Sequence, residues 1–596
     1  MDKRKKNRLQ IILSMLLVLL FYMAYIIREI PLHTSSDELG AIVSAAYLAK
    51  RNWSGVIDRS GYYGFGFFFQ FFWVFKLTDN PIIIYRVILS FCALERVCTI
   101  PIIYYISKKY MGIKKHTLAL IMSIAISLLH TQRVVTLANE YTLELLIWLN
   151  IWVLCKLNEY IEDVKKKNIY TIVLIAILTY SLTIHTRMLV LIIANIILIL
   201  AYKILYKKKL VSWEMLIVGL CIGGIVKYGI KIYQNEIWNT GNGSLRNASA
   251  SISKAFNIFD IETWKVWIHM ILGMIDTMTL VFAGLFLLSI VVFIYYSVIC
   301  IKRRDKENVN VNIIFMLTFL SMGATILAFL FSGWGEGMLL HWNERGQSDA
   351  YAYKGLTYIR YWEPYVVPFI LAAMSVFING DINRKKALNI TMICYIVLQI
   401  LFIILVLPLI QTNGDALAPL RGISMYDIEK TVEKSNYFTS ILIATSVFVM
   451  VALLIQMDKI KLMFGIIILF IVFQYNYSFV YYDFKIQERM NDLVDASYEE
   501  VQNLISNGNY IENIYIFETN EKKDNNWKIY SIAQFYLNDF CLIQELPETL
   551  GKNDILITNG EIENFAILEE INSIVLDDNE IWYININNNW NISKEE

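Results

Sequence analysis

Two acidic stretches stand where a carboxylate could do chemistry. Ser35-Ser36-Asp37-Glu38 follows directly on an apolar run, and Ala138-Asn139-Glu140-Tyr141 leads into another, with Glu144 one turn further on. A carboxylate held at the edge of an apolar segment can take a proton from an acceptor hydroxyl as a general base. The plainer reading is structural. Ser35 or Ser36 caps a helix running from Asp37 to Arg51, and acids in a first helical turn complement the helix dipole. Glu140 opens its span in the same way, but an acid in that place is expensive unless it is solvated, paired or used. Glu144 shares its helix face, so these two acids could line a cavity or ligate a metal.

Basic and aromatic groups gather near the same segments: His33, Arg59, Arg86, His130, Arg133, His185, Arg187, His341, Arg345, Arg360 and Tyr361. Most are explained by snorkelling at an interface. A phosphate at the membrane surface would nonetheless need one or two of the arginines. Asp276, inside an apolar run, is expected to face other helices rather than lipid. Glu95 and Arg96 are adjacent on a helix and point in different directions, so they form no simple pair.

The elements that must position these residues are membrane spans. The chain has 596 residues, 57% hydrophobic and only 18% charged, with a mean hydropathy of +0.48. A soluble domain carries about a quarter charged residues, so the apolar excess must face lipid. The formal net charge is +1, which gives no bulk field for a nucleic acid. Six of the seven cysteines lie in apolar runs, no CxxC or Cys/His spacing is present, and a zinc finger is excluded. The apolar runs predict about thirteen spans: 9–27, 81–106, 117–132, 141–157, 170–186, 188–206, 213–233, 271–300, 311–332, 363–379, 387–410, 438–457 and 461–481.

The run Tyr62–Leu77 decides the topology. If it crosses the membrane, every later basic cluster, such as Lys165-Lys166-Lys167 and Lys302-Arg303-Arg304, falls opposite the basic N-terminus. If it lies along the surface, all of them join Lys3-Arg4-Lys5-Lys6 in the cytoplasm, as the positive-inside rule requires. The second arrangement is expected. The N-terminus is then cytoplasmic and the long loops 28–80, 133–140, 234–270, 333–362 and 411–437 face outward. Residues 1–481 form the membrane domain and 482–596 a small extracytoplasmic α/β domain. Its expected strands include Asn513–Phe517, Asp554–Thr558 and Ile581–Ile586, and its helices Asp495–Ser506 and Trp527–Tyr536.

This pattern resembles the GT-C membrane glycosyltransferases, the group that includes protein O-mannosyltransferases and the lipid A aminoarabinose transferase. Ser36-Asp37-Glu38 is similar to the acidic motif of their first outer loop, with juxtamembrane helices expected near 37–51 and 64–76. Asn139-Glu140 is similar to their second acid, Arg86 to a recurrent arginine, and Arg360-Tyr361-Trp362-Glu363-Pro364 to a late Arg-Tyr…Pro element. The likeness is carried by residues 1–210 and thins beyond. The aminoarabinose branch has a Lys-Pro element after its first loop, where this chain has Gly61-Tyr62-Tyr63-Gly64.

The resemblance implies an all-α polytopic bundle and a sugar donor linked to polyprenyl phosphate. The partners implied are membrane lipid and a glycan, glycolipid or protein acceptor, with no nucleic acid. Asp37 would be the base, with Glu38 and Glu140 placing the acceptor. Asp37 and Glu140 would be the ligands of a divalent cation (Mg or Mn). Arg59, Arg86, His185, Arg187, Arg360 and Tyr361 would bind substrate. The rival readings are a polysaccharide or lipid transporter, a surface-polysaccharide ligase and a membrane scaffold. Exporters are expected to carry charges along several spans or paired broken helices.

Overall fold

The computed structural model describes residues 3–28, 35–57, 64–129, 137–238, 260–303, 308–332, 355–410, 434–478, 484–517, 527–544, 546–562, 565–575 and 578–589, with isolated residues between them. Among these residues, nine helices are long and apolar enough to cross a membrane, or ten if one bent pair is a single span. Helices also stand at three further apolar runs. His116–Leu128 and Glu363–Asn379 have 13 and 17 residues. At 1.5 Å per residue both fall short of a hydrocarbon core of about 30 Å. Glu140–Glu159 is long enough but carries buried acids. Thirteen apolar runs therefore do not become thirteen full-length spans.

Two expected elements differ. The run 271–300, read as one span, is two helices, Ile261–Val281 and Leu285–Arg303, which meet at 110°. The break lies at Ala283 and Gly284, with φ of 45° and 76°, and the Gly284 N–H closes the first helix on the Thr279 carbonyl at 2.7 Å. The turn residues are themselves apolar, so hydropathy does not register the break. The expected helix near 64–76 is likewise interrupted. Two one-turn helices, Phe65–Phe68 and Val74–Leu77, flank a turn where the Trp73 indole donates to the Gln70 carbonyl at 2.7 Å. No described part of this run crosses the bundle; Phe67, Phe68, Phe71, Val74 and Phe75 are buried instead.

The first loop is a platform. Its helix Ser35–Leu48 packs on Phe65–Phe68 and on the helix Trp527–Tyr536 from the C-terminal part of the chain. It ends where Lys50 takes a left-handed conformation, φ 69°, and the Arg51 N–H returns to the Ala46 carbonyl at 3.0 Å. This is the usual way a helix terminus satisfies its last carbonyls.

The C-terminal part opens with the helix Phe484–Ser506. A five-stranded sheet follows: β1 (Asn513–Phe517), β2 (Leu542–Ile543), β3 (Asp554–Thr558), β4 (Ala566–Val575) and β5 (Asp578–Ile586). The order is β2-β1-β3-β5-β4, with β2, β1 and β3 parallel and β5 antiparallel to both its neighbours. β3 is buried along its whole length, as its unbroken apolar core requires.

This unit is fastened to the first loop. The buried Trp53 donates its indole N–H to the Asn538 carbonyl at 3.1 Å, Asn538 donates to the Asp79 carbonyl at 2.7 Å, and Gln544 donates to the Gly55 carbonyl at 2.9 Å. Arg51 ion-pairs with both Asp79 and Asp539. Trp53, Phe75, Tyr85 and Phe535 pack edge to face around the contact, a geometry favoured by the ring quadrupoles. A Cβ on Gly55 would overlap the Leu542 carbonyl oxygen. Gly55→Ala is expected to cost about 1–3 kcal/mol through overpacking. Its check is limited proteolysis, with faster release of the C-terminal unit than from wild type.

Candidate functional site

Glu140 is the first residue of the helix Glu140–Glu159 and is 1% exposed. Its Oε1 accepts from two guanidiniums, Arg187 Nη2 at 2.8 Å and Arg360 Nε at 2.8 Å. Arg187 Nη2 also donates to Asn139 Oδ1 at 3.4 Å. Three separate parts of the chain therefore converge on one carboxylate oxygen. Among the described residues, one carboxylate here faces two guanidiniums. The arginine side chains, 14% and 23% exposed, reach outward while the glutamate is enclosed. Glu140 Oε2 is buried without a hydrogen-bond partner among the described residues, and a buried carboxylate oxygen is costly unless something donates to it.

Local backbone chemistry puts Arg187 there. The helix Val164–Ile184 ends at His185, which is extended at φ −155° and ψ 134°. A short 3-10 turn, Thr186–Met188, then precedes the helix Leu189–Tyr206. His185 Nδ1 accepts the Arg187 backbone N–H at 3.0 Å, so that nitrogen carries no proton and the imidazole is neutral. The Arg187 guanidinium sits over the Tyr361 ring, 5.1 Å from its centroid, a cation–π contact. Tyr365 reaches back to Met188 Sδ at 3.7 Å. Arg360 and Tyr361 stand just before the helix Glu363–Asn379, whose start is favoured by Pro364.

The first loop is clamped beside this turn. Gly64 has φ +107°, and a Cβ there would overlap the Ile184 carbonyl; one on Gly66 would overlap the Thr183 hydroxyl. The Tyr180 hydroxyl donates to the Gly66 carbonyl at 2.9 Å. Gly64→Ala meets a left-handed backbone and a rigid carbonyl at once, an expected loss of about 2–5 kcal/mol. The measurement is the unfolding temperature in detergent, and Gly112→Ala, also at positive φ but with only a side chain at 3.6 Å, is the comparison.

Glu144 does not share the Glu140 cavity expected from helix spacing. Both its oxygens accept from Arg96 Nη2, at 2.9 and 2.8 Å, in a pair 3% and 2% exposed. Arg96 also lies over the Tyr141 ring at 5.0 Å. Glu95 turns the other way and accepts from the Thr142 hydroxyl at 2.7 Å; Gln70 of the first loop donates to that hydroxyl at 3.4 Å. Asp276 is fully buried, with Gln399 and Tyr437 donating to its two oxygens at 2.6 and 2.7 Å.

The remaining candidates are distributed. Asp37 and Glu38 stand on the helix Ser35–Leu48, but their side chains lie outside the described residues, as do His33, Arg59, His130, Arg133, His341 and Arg345. Arg86 stands in the second turn of the helix Pro81–Lys109. It lies within electrostatic reach of Tyr536, whose hydroxyl burial and the Asp495 carboxylate raise above its ordinary pKa while Arg86 opposes them. Glu140, His185, Arg187, Arg360 and Tyr361 come together. Tyr180, Gly64 and Gly66 escaped sequence reading, because only the tertiary approach of the loop marks them.

A divalent cation at Glu140 would approach a carboxylate already neutralised by two guanidiniums, and no group of three His, Cys, Asp or Glu residues able to hold a metal occurs among the described residues. Of the two expected ligands, Glu140 is thus committed to guanidiniums, and the Asp37 side chain lies outside the described residues.

No protein-family model and no curated protein matches the chain. Among solved structures it is similar to ArnT from Cupriavidus metallidurans bound to undecaprenyl phosphate, with a TM-score of 0.52 and 10% sequence identity over 97% of this chain and 99% of that one. The apo state of the same protein aligns with a TM-score of 0.48 and 9% identity over 93% and 94%. The fold of ArnT is thus shared over 97% of this chain.

Proposed function

We propose that this protein, built on the fold of ArnT, is an integral-membrane glycosyltransferase. It moves a sugar, hexose or pentose, from polyprenyl phosphate to a hydroxyl-bearing acceptor at the outer membrane face. The observation that carries the reading is the pair of guanidiniums, Arg187 and Arg360, gathered at Glu140 and held next to the first loop. ArnT was crystallised with undecaprenyl phosphate, and a lipid phosphate is the anion this cluster suits by charge and by guanidinium geometry.

In the reaction, the acceptor hydroxyl oxygen attacks the anomeric carbon as the bond from that carbon to the phosphate oxygen breaks. The hydroxyl proton passes to Asp37, and polyprenyl phosphate leaves with one further negative charge. Arg187 and Arg360 stabilise that charge as it develops, which is where electrostatic preorganisation accelerates a reaction. Glu140 holds both guanidiniums in place through Oε1. His185 and Tyr361 orient Arg187, with Glu38 and Arg59 as further first-loop candidates. A single in-line displacement inverts the anomeric carbon. Arg86, near the start of the helix Pro81–Lys109, is a further substrate-binding candidate.

The positive-inside rule, applied to the basic clusters, supports a cytoplasmic N-terminus with residues 482–596 outside as a separate domain. The acceptor is then a cell-envelope glycan, glycolipid or protein. Export of a lipid-linked glycan is the second reading, favoured by the 110° break between Ile261–Val281 and Leu285–Arg303. Sealed vesicles loaded with a radiolabelled polyprenyl-phosphate sugar separate the two. Transfer leaves free polyprenyl phosphate and a new glycosidic product; intact donor on the opposite leaflet would overturn the proposal.

A further inference from the structure

The helix Trp213–Trp238 is the least enclosed of the spans, with only 6% of its apolar window buried. It meets the bundle along one edge, where Gly219 and Gly223 admit Ile175 and Thr179 of the helix Val164–Ile184. Towards its Trp238 end, Tyr233 packs edge-on against Tyr47 and Phe65. That end is therefore level with the first loop and with the Glu140 cluster beneath it.

Beside the contact edge runs a stripe with helical spacing, Leu220, Gly224, Lys227 and Lys231. All four are exposed, and a Cβ on Gly224 would meet nothing within 4 Å. Lys227 lies about 21 Å along the helix from Trp213, inside a hydrocarbon layer of about 30 Å. Neither lysine has a carboxylate partner among the described residues. An unpaired ammonium at that depth is expensive, and snorkelling lifts both towards the first-loop end.

We propose that Lys227 and Lys231 form a membrane-facing docking site for the phosphate of a polyprenyl phosphate, whose chain lies along Gly224 and Leu220. From there the donor passes to Arg187 and Arg360. The stripe is flanked by the exposed Ile217, Ile225 and Tyr228, an apolar surface that suits a chain of isoprene units, and Gly224 lets that chain approach the helix closely. Its charge complements a phosphate, and its end adjoins the proposed active site. The inference rests on the donor assigned above, but it concerns capture rather than chemistry.

The test is photo-cross-linking in phosphatidylcholine nanodiscs with a diazirine-bearing undecaprenyl phosphate, its adducts mapped by peptide mass spectrometry. Adducts are expected on residues 213–238 of wild type. At limiting probe, K227Q/K231Q should lower their yield roughly thirtyfold, taking about a factor of five per lysine. R187Q should keep them, since it disables only the later site. Unlabelled undecaprenyl phosphate should compete and phosphatidylglycerol should not. Equal competition by phosphatidylglycerol, unchanged yield in K227Q/K231Q, loss in R187Q, or cross-links to a second copy through this helix would each overturn the proposal. If the adduct pattern holds while no donor is ever turned over, the docking site stands and the transferase reading falls.

Discussion

Arg360→Gln is expected to slow turnover of a polyprenyl-phosphate sugar by about a hundredfold to a thousandfold, the usual cost of losing one donor aimed at developing charge. Arg187→Gln should lose nearly as much. Each variant leaves Glu140 paired with the other guanidinium, at 2.8 Å in either case, and removes one positive charge from the cluster. The protein should still fold, because no buried carboxylate is left alone. The loss falls mainly on kcat, since the leaving phosphate gains its extra charge only in the transition state. Arg360→Lys should not restore the rate. Arg360 bonds Glu140 through Nε, which leaves the fork of the guanidinium directed elsewhere, and an ammonium cannot divide itself between two acceptors in that way. Steady-state kinetics of sugar release, with unfolding temperatures alongside, checks both points.

Asp37→Asn should be more damaging still. A positioned general base contributes about a hundredfold to ten-thousandfold, and an amide cannot accept the hydroxyl proton at any working pH. For an acid that only complements a helix dipole, the same substitution costs about 0.3–1 kcal/mol of stability and no activity. The two readings of Ser35-Ser36-Asp37-Glu38 therefore predict opposite outcomes from one variant. A folded protein with transfer reduced by about a thousandfold marks a base; a folded protein with full transfer marks a helix-start acid. Glu38→Gln is the natural companion, because it sits on the same helix turn and alters the charge equally.

Much of the architecture was legible because membrane solvation writes it in long apolar runs, and the strands β1, β3 and β5 announced themselves through β-branched and aromatic residues. β2, with two residues, is too short for a pattern, and β4 interleaves Glu569, Glu570 and Asn572 with its apolar positions. The 110° break was invisible for a different reason: Ala283 and Gly284 turn the chain without any polar residue. At the site, Glu140 was conspicuous as an acid at a span entrance. Arg187 and Arg360 were candidates too, but their pairing with Glu140 was not legible, because they are 47 and 220 residues away in sequence. Spacing also misled at Glu144, which shares a helix face with Glu140 yet is claimed by Arg96 from another helix. One-dimensional periodicity identifies which residues share a face but not which neighbour faces them.

The most direct test of the transferase reading is donor consumption by purified protein in detergent, where no leaflets exist and transport cannot register. A panel of radiolabelled polyprenyl-phosphate sugars would be incubated with a crude envelope extract as acceptor, for wild type, Asp37→Asn and Arg360→Gln. The account predicts that wild type releases polyprenyl phosphate from one donor and that both folded variants lose the activity. No release from any donor, or release undiminished in both variants, would contradict it.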